Sequence, residues 1–317
     1  MTKRKPRLAA PITDAVGVVG ARQIASMAAV GCVVAAVRAR KTLGLPPAAS
    51  TACAYAAVPS LAAGFKRAAL RDGVVWAAQM WAYKNAFEMP YDDEQPLRDR
   101  THYGYPIAVD SRLGRGMPPG RRLQRRLRTR GELTVLDKAL SFFYWTWEAE
   151  PHLAMMWIRC RHPDRFASAA GRLATTFNLT LIAYWLAPTA PPWWASEKLD
   201  RMDGDVRRVI VEVSNWLKRE PNPTEGDHEL GANPFAAMPS DHLASAAMTA
   251  ILLFEQDRRL GALAGCYAVI LAFALVYLGE HYVLDLLAGL ALTLAVNAAR
   301  RQLEAAAERL LALGSRR

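Results

Sequence analysis

Two histidines and one carboxylate, His242, His281 and Asp285, are the residue types that phosphoryl transfer requires. His281 and Asp285 stand four apart, and on a helix that spacing makes them surface neighbours. A carboxylate on one ring nitrogen fixes the tautomer and leaves the other nitrogen to attack. His242 offers a second imidazole, able to protonate a departing alkoxide. It lies in Pro239-Ser240-Asp241-His242, where Ser240 is a good N-cap for the apolar run that follows. Free backbone N–H groups at a helix start favour an anion, so a phosphate could sit there within reach of His242. Asp241 suits the helix dipole but opposes a phosphate unless its carboxylate points away.

These residues need elements to hold them, and the composition points to membrane helices. A hydrophobic fraction of 52% beside a net charge of +11 is distributed as apolar blocks separated by basic loops. No nucleic-acid motif accompanies the arginines, so nucleic acid is not expected as a partner, and membrane lipids with anionic headgroups are. The four cysteines, Cys32, Cys53, Cys160 and Cys266, have neither metal-ligand nor disulfide-framework spacing. The basic start, Lys3 to Arg7, lacks the apolar run of a signal peptide.

Taken in order, the chain divides into a basic N-terminal segment (1–22), N-terminal helices and an Arg-rich loop (23–132), a membrane core (133–300) and a basic tail (301–317). Gln23 to Val37 is short for a span, which needs about 20 apolar residues. Ala68 to Phe87 fits an amphipathic or interfacial helix. Glu88 to Arg130, with its prolines and arginines, reads as a long loop. Leu136 to Ile158 is apolar and aromatic but carries Glu148 and Glu150, which belong at an interface or a wet cavity. Pro188 to Trp194 stops a helix, and Trp193 and Trp194 suit a membrane boundary. Phe235 to Phe254, Leu260 to Leu278 and Val283 to Val296 are the clearest apolar runs. Antiparallel threading of these three returns His242 and His281 to one side of the membrane.

Each feature alone has a plainer explanation. A lone histidine near a membrane boundary is more often packing than catalysis, Ser240 is a cap, and an i, i+4 His/Asp pair arises by chance in many helices. Their conjunction on one side favours chemistry. A non-catalytic transporter or scaffold is the alternative, and geometry separates the two. One phosphate can touch both rings only if they share a cavity within about 8 Å.

The Pro-Ser-x-His element, with His-x-x-x-Asp about forty residues later, resembles the type 2 phosphatidic acid phosphatase superfamily. Pro188 to Trp194, Ala237-Met238-Pro239-Ser240 and His281 to Asp285 look like the branch containing fungal inositol phosphorylceramide synthases, as does Val135-Leu136-Asp137 with Tyr144 and Pro151. The resemblance implies an all-α polytopic membrane helix bundle with about six transmembrane helices and further amphipathic or interfacial helices. It implies His281 as nucleophile, Asp285 as its partner, His242 as general acid then base, and Ser240 as a phosphate ligand, with no metal and no cofactor. The implied substrate is a lipid phosphate or phospholipid, its phosphate-containing group passing to water or to an alcohol. Oligomeric state is left open.

Two departures matter. The superfamily's Lys-x6-Arg-Pro element is absent, and Ala274 and Leu275 occupy the positions of its Ser-Arg pair. A transferring phosphoryl group still needs positive charge around it. Arg122 and Lys198 are the candidates carried forward, with Arg112 and Arg121 beside them. Basic residues in Arg159 to Arg165, Arg258-Arg259 and Arg300-Arg301 lie opposite the histidines. The positive-inside rule then makes the histidine side extracytoplasmic, at the plasma membrane if the source is bacterial.

Overall fold

The structure, a computed structural model, describes residues 20–129, 132–219 and 233–314. Among the described residues it is all-α, with fifteen α-helices. Helices α1 (Ala21–Arg38), α2 (Pro47–Gly64) and α3 (Ala69–Glu88) form an up-and-down N-terminal group. Short helices α4 (Glu94–Asp99), α5 (Gly104–Leu113) and α6 (Pro119–Leu127) follow, then α7 (Val135–Thr146), α8 (Glu150–Arg161) and α9 (Phe166–Leu186). Helices α10 (Pro192–Leu199) and α11 (Val209–Lys218) precede the C-terminal group α12 (Asp241–Gln256), α13 (Arg258–Tyr277), α14 (Val283–Ala298) and α15 (Arg300–Leu311).

The bundle centres on α12, which packs on α8, α9, α13 and α14. Its apolar face is buried through Ala244, Ala246, Met248 and Leu252, and the small residues allow close approach. At the end of α12 far from His242, Arg172 donates to Glu255 and to Asn297, joining α9, α12 and α14.

Ala21–Arg38 and Arg258–Tyr277 are long and apolar enough to cross a membrane, and α14 with α15, bent by 71°, makes a third if it is one span. Among the described residues, length and composition therefore support two or three spans and do not confirm about six. The physical reason is dilution: α9 carries Arg172, Thr175, Thr176, Asn178 and Thr180, and α12 and α14 have 16 residues each. The run at Gln23 to Val37, short by itself, is extended by its flanks to an 18-residue helix.

Three other expectations change. Instead of lying at an interface, α3 packs between α2 and α9 and buries Arg71, Asp72, Trp76, Gln79 and Tyr83. Its charges tolerate burial because they are paired, Asp72 receiving Arg71 at 3.0 Å and Arg159 at 2.8 Å. The long loop of 88–130 contains α4, α5 and α6. Pro96, Pro106 and Pro119 fall in their first turns, where a missing N–H costs little. Trp193 and Trp194 are not a boundary belt: they are 3% and 9% exposed and pack with Leu97, Ala190 and Phe235. A short three-way pairing of His102, Thr189 and Ala236 ties this cap to the lead-in of α12.

The crossing of α12 and α14 depends on Gly289. A Cβ there would stand 2.5 Å from the Ser240 carbonyl oxygen, and backbone cannot swing aside. Gly289→Ala should therefore push the helix starts apart, costing about 1–3 kcal/mol and lowering turnover with it. Thermal unfolding in detergent alongside an activity assay checks this, and unchanged values for both would contradict the close approach.

Candidate active site

The first half of the site is the start of α12, held from three directions. Ser240 caps the helix, its Oγ accepting from the Leu243 N–H at 3.4 Å, while its own N–H donates to the Asp285 carbonyl at 2.9 Å. The Tyr184 hydroxyl donates to the Pro239 carbonyl at 2.7 Å and accepts from the Asp241 N–H at 3.2 Å. Asp241 is turned toward α3 and α9, where the Tyr83 and Thr180 hydroxyls donate to its carboxylate. This settles the difficulty of a carboxylate beside an anion site: its charge is engaged by hydroxyl donors.

The second half is the start of α14. Asp110, on α5, accepts from the Val283 N–H at 2.9 Å and the Leu284 N–H at 3.0 Å. It thus caps α14 from a distant part of the chain. Burial pushes the Asp110 carboxyl above its ordinary value, and the two amides pull it back. Asp285 Oδ2 accepts from the Tyr282 N–H at 2.8 Å, fixing the carboxylate one turn into the helix.

Between the two helix starts the imidazoles meet. His281 Nδ1 faces Asp285 Oδ2 at 3.4 Å, and His281 Nε2 faces His242 Nδ1 at 3.2 Å. The ring centroids are 5.3 Å apart, edge to face. The tautomers that satisfy these contacts put a proton on His281 Nδ1, toward Asp285, and a proton on His242 Nδ1, toward the Nε2 lone pair of His281. His281 and Asp285 are 4% and 0% exposed. The pair is shielded from water.

His242 lies against Trp147 and Tyr144, at ring-centroid distances of 4.1 and 5.0 Å. Trp147 is itself oriented by donating to Ser245 Oγ at 2.8 Å. A cleft of about 290 Å3 opens at His242, with Tyr83, Lys84, Tyr144, Trp147, Glu148 and His152 in its wall. Glu148, in the break between α7 and α8, thus faces a cavity. Beside His281, Glu280 accepts from Arg208 Nε at 2.9 Å, both buried, and Arg208 lies over the Trp193 ring at 4.3 Å. Burial alone would lower the pKa of this guanidinium, but Glu280 raises it, so Arg208 keeps its charge.

The structure brings His242, His281 and Asp285 together and puts Ser240 two residues before His242, at the cap of the same helix. It brings neither Arg122 nor Lys198 into a hydrogen bond with the histidines. Arg122 donates to the Gly114 carbonyl, Lys198 is exposed on α10, Arg112 is exposed, and Arg121 is paired with Asp203 and Asp205. Sequence reasoning missed Asp110, Arg208 and Tyr83. Only the adjacency of Glu280 to His281 pointed toward Arg208; the other two carry no local signal. Among the described residues no group of three or more His, Cys, Asp or Glu could hold a metal ion.

A profile described as PAP2 superfamily matches residues 107–299. The chain belongs to the PAP2 superfamily. The matched stretch runs from α5 to the end of α14 and contains Asp110 and the whole histidine site. Because the PAP2 superfamily comprises phosphatases and phosphotransferases, this protein is an enzyme of that kind with a phosphorylated substrate, and its apolar helices make it an integral membrane protein. The match is to the superfamily and does not reach the inositol phosphorylceramide synthase branch. No curated protein and no solved structure matches the chain.

Proposed function

We propose that this PAP2 protein is a lipid-phosphate phosphatase or phosphotransferase working through a phosphohistidine on His281. The observation that carries the reading is the contact of His281 Nε2 with His242 Nδ1 while His281 Nδ1 faces Asp285. His281 Nε2 attacks phosphorus, the bond to the leaving oxygen breaks, and His242 delivers its proton to that oxygen. In the second step His242 takes a proton from water or an alcohol, which attacks the phosphohistidine and frees His281. Asp285 holds the imidazole in the attacking tautomer and stabilises the positive charge formed on it, as the carboxylate does in a Ser-His-Asp triad.

Entry of the phosphate must part the two rings, since they touch directly. The cleft at His242 provides the approach, and the Ser240 hydroxyl with the His242 backbone N–H at the start of α12 is the proposed donor set for the phosphoryl oxygens. Arg122 and Lys198 remain proposed phosphate cations. Arg208 is a third, favoured by its burial beside Glu280 and by its retained charge. The reading includes an extracytoplasmic site, supported by the basic short loops at the opposite end, and an inositol phosphorylceramide synthase-like acceptor, supported by the quoted motifs.

The test is turnover of short-chain lipid phosphates by the purified protein in detergent, with and without inositol or another alcohol. Free phosphate alone identifies a phosphatase, and a phosphorylated alcohol identifies a transferase. Absence of both products with every substrate would favour the transporter or scaffold reading.

A further inference from the structure

A second cavity, of about 240 Å3, lies between α3, α9 and α15, with Val75, Phe166, Ala174, Leu303 and Leu310 in its wall. Asn178, Gln79 and Asp72, three polar groups of its wall, are engaged with protein. Asn178 Oδ1 accepts from the Tyr55 hydroxyl at 2.7 Å and from Gln79 Nε2 at 3.0 Å, and Asp72 is held by Arg71 and Arg159. A space with these polar neighbours already satisfied offers water little and suits hydrocarbon.

This cavity abuts the histidine cleft. Trp76 lines it, and the Trp76 indole N–H donates at 3.1 Å to Nδ1 of His152, which lines the cleft. Successive residues on α9, Phe177 and Asn178, belong to the cleft and to the cavity in turn, as do Met80 and Gln79 on α3. At its Tyr184 end α9 touches the start of α12, while Gly171, toward its other end, lies against α15. The cavity is therefore farther from the histidines along α9, on the side of the cleft away from the reacting groups. It is also built largely from α3 and α15, which lie outside the residues matched by the superfamily profile.

We infer that this cavity holds the hydrocarbon tail of the lipid phosphate whose headgroup reacts at His281, with Trp76 and His152 as the partition that the tail passes. The inference rests on the catalytic reading above and adds the tail site. Small side chains on α9 make the room, so Ala174→Trp fills it without touching the histidines.

The experiment measures kcat/KM for a series of single-chain alkyl phosphates, short to long, with full-length protein in detergent. Wild type should favour the long members by about tenfold or more, and Ala174→Trp should lose that preference while keeping short-chain turnover within about twofold. A wild-type-like length preference in Ala174→Trp overturns the tail site. Failure of wild type to turn over any alkyl phosphate overturns the catalytic reading instead. A second measurement does not depend on the variant folding: a long alkyl phosphate with a photoreactive terminal carbon should label α3, α9 or α15 of the wild-type protein. Labelling confined to other helices refutes the assignment.

Discussion

His281→Ala is expected to remove lipid-phosphate turnover, by more than about 1,000-fold in kcat. The size follows from the role: without a nucleophile there is no covalent route, and water has no activating group aimed at phosphorus. The imidazole is nearly fully buried, with its ring nitrogens facing Asp285 and His242, so truncation leaves a small cavity and removes a partner of each. Quenching in alkaline detergent during turnover should trap phosphate on wild-type protein, alkali-stable and acid-labile as expected for a phosphohistidine, and none on the variant. A His281→Ala protein that retains turnover removes this nucleophile from consideration. Asp285→Asn is a subtler companion. It keeps the geometry but no longer fixes the tautomer, so its loss should fall on kcat rather than KM.

The second large effect belongs to His242. His242→Ala should lower turnover of an alkyl phosphate by about 100- to 10,000-fold, the usual contribution of a positioned general acid. The deficit should shrink for p-nitrophenyl phosphate, whose leaving group departs without being protonated. The pH profile supplies an independent check. In wild type the rate of leaving-group expulsion should fall on the alkaline side as the general acid loses its proton, and in His242→Ala with an activated substrate that limb should vanish. Equal losses for alkyl and nitrophenyl substrates would instead make His242 a positioning residue that keeps Trp147, Tyr144 and His281 in register.

Much of this architecture is legible in one dimension because it is local. Ser240 caps α12 as an N-cap residue should. His281 lies just before α14, not on it, so its 3.4 Å contact with Asp285 in the first turn comes from the lead-in of the helix and not from i, i+4 neighbours on one helical face. The apolar runs after Phe235 become three antiparallel helices because tight turns and basic residues bound them. The span count was not legible. Polar residues on α3 and α9 are hidden by pairing inside the bundle, as with Asp72 and its arginines or Asn178 with Tyr55 and Gln79, so hydropathy under-reports how a helix is packed. The prolines of 88–130 read as loop residues because position within a helix, not residue type, decides whether proline is tolerated.

What the sequence by itself determined is the identity and local spacing of the reacting groups, since short-range spacings and helix caps depend on a few adjacent dihedrals. Tertiary structure alone decided that two helix starts meet at Gly289 and Ser240, that Asp110 arrives from far upstream to cap α14, and that a buried Arg208 stands beside Glu280. It also decided that the Pro-Pro-Trp-Trp element closes a cap instead of lying at a boundary. Each of these joins residues remote in the chain, and such contacts follow from how whole helices pack, which no local pattern encodes.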